Sequence, residues 1–231
     1  MTDTTLTLNL IAQAGTRRYT GGIAKAVIAG WTGRDREAME KHIVELEEIG
    51  IARPVATPMY YRVGASRMTI ADSIEVSGND SSGEVEFLML KLEGSLWVGV
   101  GSDHTDRKLE TIGVAISKQL CDKPMSTDLW SYDEVADHWE ALVLRAFIIE
   151  DGERKLYQEG PVTTMQDPQV LIAGWSEGEG QLADGTVMFC GTLAARGGIR
   201  SASRFEFELE DPILKRTLRG AYDIVSLPIA G

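Results

Sequence analysis

Two short acidic motifs in the middle of this chain could hold a metal ion. Glu84-Val85-Glu86 opens an apolar run, and Asp103-His104-Thr105-Asp106-Arg107 follows the glycine-studded stretch 98–102. Carboxylate oxygens are natural ligands of hard divalent cations, and Mg²⁺ commonly keeps coordination positions open for a substrate. Side chains two apart on a strand point to the same side, so Glu84 and Glu86 would face one point. A solvated strand face is the bland alternative, and the alternating run Phe205-Glu206-Phe207-Glu208-Leu209-Glu210 reads that way. Around Glu86 the context differs. Phe87-Leu88-Met89-Leu90 suggests burial on both sides, and carboxylates entering such a strand need a cation or donors. Asp103 or Asp106 could instead cap the helix that follows. If the motifs meet in space, the chain reads as a metal-dependent enzyme acting on small acids.

Other residues could assist. His42 and Glu45 lie three apart on a predicted helix and are neighbours on its surface. They read either as a general base oriented by a carboxylate or as an ordinary surface pair. Arg107 and Lys118 are eleven residues apart, close to three helical turns, so an unbroken helix would place them on one face. There they would serve a substrate carboxylate or simply be solvated. His104 gains interest from its place beside Asp103, and His138 offers less. Cys121 and Cys190 show no Cys-x-x-Cys spacing and read as buried small hydrophobes in a reducing compartment.

These residues need elements to position them. Period-two alternation predicts a strand over 5–11, and another is expected over 23–29. A helix follows Asp35, with Met39, Ile43, Leu46 and Ile49 on one stripe, and Gly50 and Pro54 to stop it. Residues 51–64 read as a connector. Strands are expected over 73–77, 84–92 and 96–100. A helix over 106–120 would stripe Leu109, Ile112, Ile116 and Leu120, with Gly113 weakening it. Ser131 to Glu134 has capping-box spacing. Residues 142–149 and 154–158 flank Asp151-Gly152, a primed-turn signal. A short helix over 168–175 precedes a Gly- and Glu-rich loop at 174–180. Strands over 186–190, 204–210 and 215–227 complete the chain. Strands dominate without a strand–helix alternation, so the fold class is β-rich α+β. The expected division is a segment over 1–60 carrying a lid-like helix and a catalytic domain over 61–231.

The bulk composition narrows the partners. The 231 residues are 43% hydrophobic and 25% charged, ordinary values for a globular chain able to bury a core. With 35 acidic against 23 basic residues the net charge is −12, which argues against a nucleic-acid footprint. It also repels anions at long range, so a site for acids needs local cations: a metal, Arg107 or Lys118. No apolar stretch approaches the ~20 residues that span a membrane, and no signal-peptide pattern opens the chain. The expected address is the cytoplasm.

Taken in order, these pieces resemble the fumarylacetoacetate hydrolase superfamily, and within it an uncharacterised bacterial subgroup, from about Ala29 to Val225. The lid motif resembles His42-Ile43-Val44-Glu45, Gly50, Pro54 and Pro58. The metal pair resembles Glu84-Val85-Glu86, and the Asp-x-Ser/Thr-x-Arg motif resembles Asp103 to Arg107, with Lys118 after it. Asp151-Gly152-Glu153 leading to Gln158-Glu159-Gly160 is similar to the family's hairpin, and 184–192 is similar to its Gly-Thr pattern. Departures are Ser102, Lys108, Leu193 and a short gap between Glu86 and Asp103.

The resemblance implies a mixed β-roll, usually a homodimer. It implies Mg²⁺ or Mn²⁺ held by Glu84, Glu86 and Asp103, and a His42–Glu45 dyad on a mobile segment. Lys118, Thr192, Arg107 and Gln158 would lie near the substrate. The expected activity is hydrolysis of a C–C bond in a small 2-oxo or diketo acid such as an acylpyruvate. The alternatives are a lyase (a decarboxylase, hydratase or dehydratase) on a 2-oxo or sugar acid, a non-catalytic small-acid binder, and a structural dimerisation module.

Overall fold

A computed structural model describes residues 4–48, 52–175 and 180–230, and all side chains of α1 (Arg36–Glu48) except those of His42 and Leu46. The strands are β1 (Thr4–Ala12), β2 (Gly15–Ile23), β3 (Lys25–Gly30), β4 (Met59–Val63), β5 (Ser73–Ser77), β6 (Val85–Leu92) and β7 (Ser95–Ser102). After these come β8 (Asp128–Ser131), β9 (Val143–Glu150), β10 (Glu153–Pro161), β11 (Thr186–Phe189), β12 (Arg204–Asp211) and β13 (Arg216–Leu227). Among the described residues, eight strands form one sheet in the order β2-β1-β8-β7-β6-β11-β3-β4. Five form a second, in the order β10-β9-β12-β13-β5. The expected β-rich α+β class holds. Strands from residues 4–30 share the large sheet with strands after residue 61: β1 pairs β8 and β3 pairs β11, both in parallel.

Strand β6 is buried on both sides, as its unbroken apolar run predicts. On one side Val85, Phe87 and Met89 pack with Leu144, Ala146, Phe205 and Phe207 of the second sheet. Phe87 meets Trp139 edge-on at 5.0 Å, and full burial of such a ring contributes about 1.5–3 kcal/mol. On the other side Leu88 and Leu90 pack with Leu8 and Leu10 of β1 and Ile28 of β3. Strands far apart in the sheet order thus share one cluster, so the sheet curls around its own apolar filling.

Strands β6 and β7 form a hairpin closed by Glu93 and Gly94, at φ 49° and 78°, the positive values of a tight primed turn. Asp151 and Gly152 do the same between β9 and β10, as expected. Strand β12 alternates buried and partly exposed positions, the wet-sided strand that its Phe-Glu repeat predicts.

Other expectations need correction. The helix expected over 106–120 is two pieces, α2 (Arg107–Glu110) and α3 (Val114–Leu120), divided at Gly113. Its apolar stripe is not the buried face. Ile112, Ile116 and Leu120 are exposed, while Ser117 and Lys118 are buried. The helix turns polar groups inward because carboxylates wait there. Strand β2 was hidden in a Gly-, Thr- and Arg-rich edge segment without apolar alternation, and the connector 51–64 ends in β4. Ile49 and Gly50, the expected end of the first helix, lie outside the described residues, as do 176–179 of the expected loop. The short helix before that loop is α4 (Pro168–Gly174), capped by the Asp167 side chain.

Candidate metal and substrate site

The β6–β7 hairpin builds the acidic cluster by itself. Val85 pairs Ser102, Glu86 pairs Gly101, and the Asp103 amide donates to Glu84 O at 3.0 Å. Glu84 and Glu86 therefore stand beside Asp103, and carboxylate oxygens of all three lie within 4.8 Å of one another. The short gap between Glu86 and Asp103 is this tight hairpin. Gly101 is required by close approach, because a Cβ there would meet Pro124 O at 2.7 Å and the Phe189 ring at 2.8 Å.

Three cations surround the carboxylates. Lys118, on α3, places its ammonium in direct contact with Asp103 Oδ2 and 3.4 Å from Glu84 Oε2. Arg107 Nη2 lies 3.0 Å from Glu84 Oε1, while Nη1 meets Glu110 Oε2 at 3.0 Å and Nε donates to Ser82 Oγ at 2.7 Å. Lys123, fully buried, lies 3.2 Å from Asp103 Oδ1 and donates to His104 O at 2.6 Å and Cys121 O at 3.0 Å. Splitting the expected helix did not separate Arg107 from Lys118. Both reach Glu84 because α2 and α3 wrap the end of the hairpin. Asp106 caps α2, its side chain accepting from the Leu109 amide at 3.0 Å, so the capping alternative applies to Asp106 and not to Asp103.

The electrostatics follow from burial against pairing. Burial alone would raise the Glu84 carboxyl, but Arg107 and then Lys118 outweigh it and bring it to about 2. Burial, and next the Asp103 carboxylate beside it, push Glu86 well above the ordinary range. Burial opposes the charge on Lys118, yet Asp103, Glu84 and Glu86 together raise it above its usual value. Burial lowers Lys123 in spite of Asp103.

Two expected substrate contacts have other partners here. Gln158 Oε1 accepts from the Val85 amide at 3.0 Å, and its Nε2 donates to Thr192 Oγ1 at 2.9 Å and to Leu193 O. Thr192 Oγ1 donates to Val85 O at 2.9 Å. Both side chains therefore fasten the start of β6, the strand that presents Glu86. Glu86 Oε2 accepts from the Gly191 amide at 2.8 Å. Gly191 has φ 100°, and a Cβ on it would lie 1.8 Å from Thr32 Oγ1, so this position requires glycine.

His42 and Glu45 lie on α1, away from the carboxylate cluster in sequence. The His42 side chain lies outside the described residues. Glu45 is exposed and stands 3.9 Å from Lys41. Ile43 on the same helix is buried. His104 is buried and fixed on both sides, Nδ1 to Tyr222 Oη at 2.9 Å and Nε2 to Ser81 Oγ at 2.8 Å. His138 pairs with Asp211 at 3.1 Å, in a structural role remote from the cluster in sequence.

Sequence reasoning missed Lys123 and Tyr222. Nothing in Asp122-Lys123-Pro124 marks a fully buried lysine. Tyr222 was findable, since it shares the inward phase of β13 with Leu218 and a buried phenol needs a partner. Both cysteines are buried and free, as expected.

The donor set fits a hard divalent ion such as Mg²⁺ or Mn²⁺. It is all carboxylate, and buried Asp103 Oδ1 accepts no hydrogen bond, although the Lys123 ammonium is nearby. Among the described residues, no helix is long and apolar enough to cross a membrane.

Comparison with known proteins gives a family and a fold. Residues 29–222 match the family described as Protein of unknown function (DUF2848). No curated protein matches the sequence. The fold is that of fumarylacetoacetate hydrolase family proteins. The structure of Cg1458 is 16% identical with a TM-score of 0.64, covering 93% of this chain and 81% of that one. Yeast ynq8, a fumarylacetoacetate hydrolase family protein, is 17% identical with a TM-score of 0.61, covering 90% and 95%. 2-Keto-3-deoxy-D-arabinonate dehydratase complexed with magnesium and 2,5-dioxopentanoate is 14% identical with a TM-score of 0.63, covering 93% and 77%.

Proposed function

This chain belongs to the DUF2848 family of proteins of unknown function, and on that footing we propose that it is a divalent-metal-dependent hydrolase cleaving a C–C bond in a small 2-oxo or diketo acid. The observation that carries the reading is the three-carboxylate cluster of Glu84, Glu86 and Asp103, with the Lys118 ammonium seated against it. Those three residues would hold Mg²⁺ or Mn²⁺. When bound, the ion supplies Lewis acidity toward the oxygens of a 2-oxo acid.

The chain's own residues do the rest. In this reading His42 is the general base and Glu45 the carboxylate that would orient it, and His42 takes a proton from the water that attacks the distal carbonyl. Lys118 donates to the oxygen on which charge develops. Arg107 holds Glu84 in place, and Gln158 and Thr192 hold the strand that carries Glu86. The C–C bond then breaks with an enolate as leaving group, and His42 returns its proton to the product. The reading extends to a cytoplasmic homodimer, as the family resemblance implies, and light scattering on the purified protein tests the dimer.

A lyase acting through the same enolate chemistry is the second reading. It is favoured by the structural likeness to a dehydratase complexed with magnesium and 2,5-dioxopentanoate. Product analysis separates the two. The purified protein with Mg²⁺ or Mn²⁺ is incubated with acylpyruvates and other 2-oxo acids. Two carbonyl fragments support hydrolysis, while carbon dioxide or a dehydrated product supports the lyase. Turnover of no 2-oxo acid, with neither metal changing the melting temperature, sinks both.

A further inference from the structure

A lysine out of contact with water sits beside the carboxylate cluster. Lys123 is fully buried, and an ammonium in such a place is tolerated only where acceptors surround it. It donates to His104 O at 2.6 Å and to Cys121 O at 3.0 Å, and its nitrogen lies 3.2 Å from Asp103 Oδ1. Three acceptors and no donor suit an ammonium with its three N–H groups. Asp103 Oδ1 accepts no hydrogen bond in the fold, so the Lys123 charge is what faces it.

The backbone behind Lys123 is fastened on two sides. Lys123 and Pro124 pair in parallel with Met68 and Thr69, and the Met125 amide donates to Thr69 O at 2.9 Å. Met125 also bridges Gly101 of β7, and the Ser126 amide donates to Val100 O at 2.8 Å. Turning the ammonium away from Asp103 would strand the carbonyls of two buried residues, His104 and Cys121. Lys118 is held differently. Its polar partners are the carboxylates of Asp103 and Glu84, with no carbonyl to keep it there.

Each carboxylate of the cluster thus has one oxygen facing a donor that the fold holds still. Glu84 Oε1 faces Arg107 at 3.0 Å, Glu86 Oε2 accepts from the Gly191 amide at 2.8 Å, and Asp103 Oδ1 faces Lys123. One oxygen of each remains, and the Lys118 ammonium lies against two of those, Asp103 Oδ2 and Glu84 Oε2. The number of oxygens a carboxylate can offer matters to the ion. Ca²⁺ takes roughly six to eight oxygens and readily uses both from one carboxylate, whereas Mg²⁺ holds to an octahedron and suits single-oxygen ligands. Mn²⁺ shares that octahedral habit.

We propose that Lys123 is a positioning residue that occupies Asp103 Oδ1, so that Asp103 meets the ion through Oδ2 alone and the site favours Mg²⁺ or Mn²⁺ over Ca²⁺. The inference rests on the metal-dependent reading given above.

The test is titration calorimetry of the full chain with Mn²⁺ and with Ca²⁺. Wild type is expected to bind Mn²⁺ more tightly. In Lys123→Met the ratio of the two affinities should fall by about tenfold, the scale on which hydrogen-bonding partners of metal ligands act. A lysine that only supports the fold would weaken both ions alike, and an unchanged ratio overturns the proposal. Equal or tighter Ca²⁺ binding by the wild type overturns it too. Infrared difference spectra of the wild type, Mn²⁺ against EDTA, give a readout that needs no variant. The spacing of the carboxylate stretches separates one-oxygen from two-oxygen ligation, and a two-oxygen band overturns the assignment. All these failures leave the metal-dependent reading standing, whereas binding of neither ion overturns both.

Discussion

The Lys118 ammonium rests directly on Asp103 Oδ2, on one of the three carboxylates that would hold the metal. The same lysine lies 3.4 Å from Glu84, a second candidate ligand. Lysine and metal would then compete for the same carboxylates. Lys118→Met should lower the stability of the metal-free protein by about 3 kcal/mol, because buried carboxylates lose their partner. It should also tighten Mg²⁺ binding by about tenfold, equivalent to ~1.4 kcal/mol, while turnover collapses. Denaturant melts in EDTA and Mg²⁺ titration calorimetry read the two effects, and unchanged or weaker Mg²⁺ binding by the variant would refute the competition.

The contrast between Glu84 and Lys123 shows how far the sequence could be read. The Glu-x-Glu pair stood at the head of a continuous apolar run, and strand periodicity aims both carboxylates one way, so the cluster was legible. Its cations were only half legible. Arg107 and Lys118 would share a face on an unbroken helix with Gly113 as its weak point, and they meet instead through two pieces divided there. Lys123 was invisible, since only tertiary packing tells a buried lysine from a solvated one. The β-rich α+β class followed from strand-rich patterning. Strand β2 was missed because edge strands carry little apolar alternation.

Gln158 offers a test of anchoring against substrate contact. Its replacement by leucine leaves the buried Val85 amide without its acceptor, a cost of roughly 1–3 kcal/mol, while the Thr192 hydroxyl loses one donor and keeps Val85 O. If it acts by holding β6, metal binding should weaken along with stability. A loss confined to KM for the organic acid, with metal binding unchanged, would instead assign it to the substrate.

Gly191 should tolerate no side chain. Alanine there would place its Cβ 1.8 Å from Thr32 Oγ1, on a backbone at φ 100°. Gly191→Ala should cost on the order of 2–4 kcal/mol in urea unfolding. Thr32→Ala in the same chain should recover part of this, because the clash goes and the strained backbone stays. Full recovery, or no loss at the start, would contradict the geometry.

His104 should make the metal-free protein sensitive to acid. Burial first, then the Lys123 and Arg107 charges, hold its imidazole at about 3, well below the usual 6.5. The unfolded chain takes up the proton near pH 6.5 and the folded chain only near pH 3. Stability from this group is therefore complete above pH 6.5 and is lost as the pH falls toward 3. The loss should reach a few kcal/mol across that window, with about 1.4 kcal/mol per unit as its upper slope. Urea melts in EDTA at stepped pH should show a shallower slope for His104→Gln, and parallel slopes would dismiss the idea.

The bend at Glu93 and Gly94 governs chemistry far from itself. Eight residues of strand at ~3.3 Å each put it roughly 25 Å from the carboxylates. One extra residue in either arm between this turn and the carboxylates would slip the pairing by one and swing that arm's alternate side chains through the sheet. Glu86 and Asp103 would then part, with no change near either. Related chains can lengthen or trim this hairpin only by equal amounts on both arms, a rule that alignments of length alone would expose.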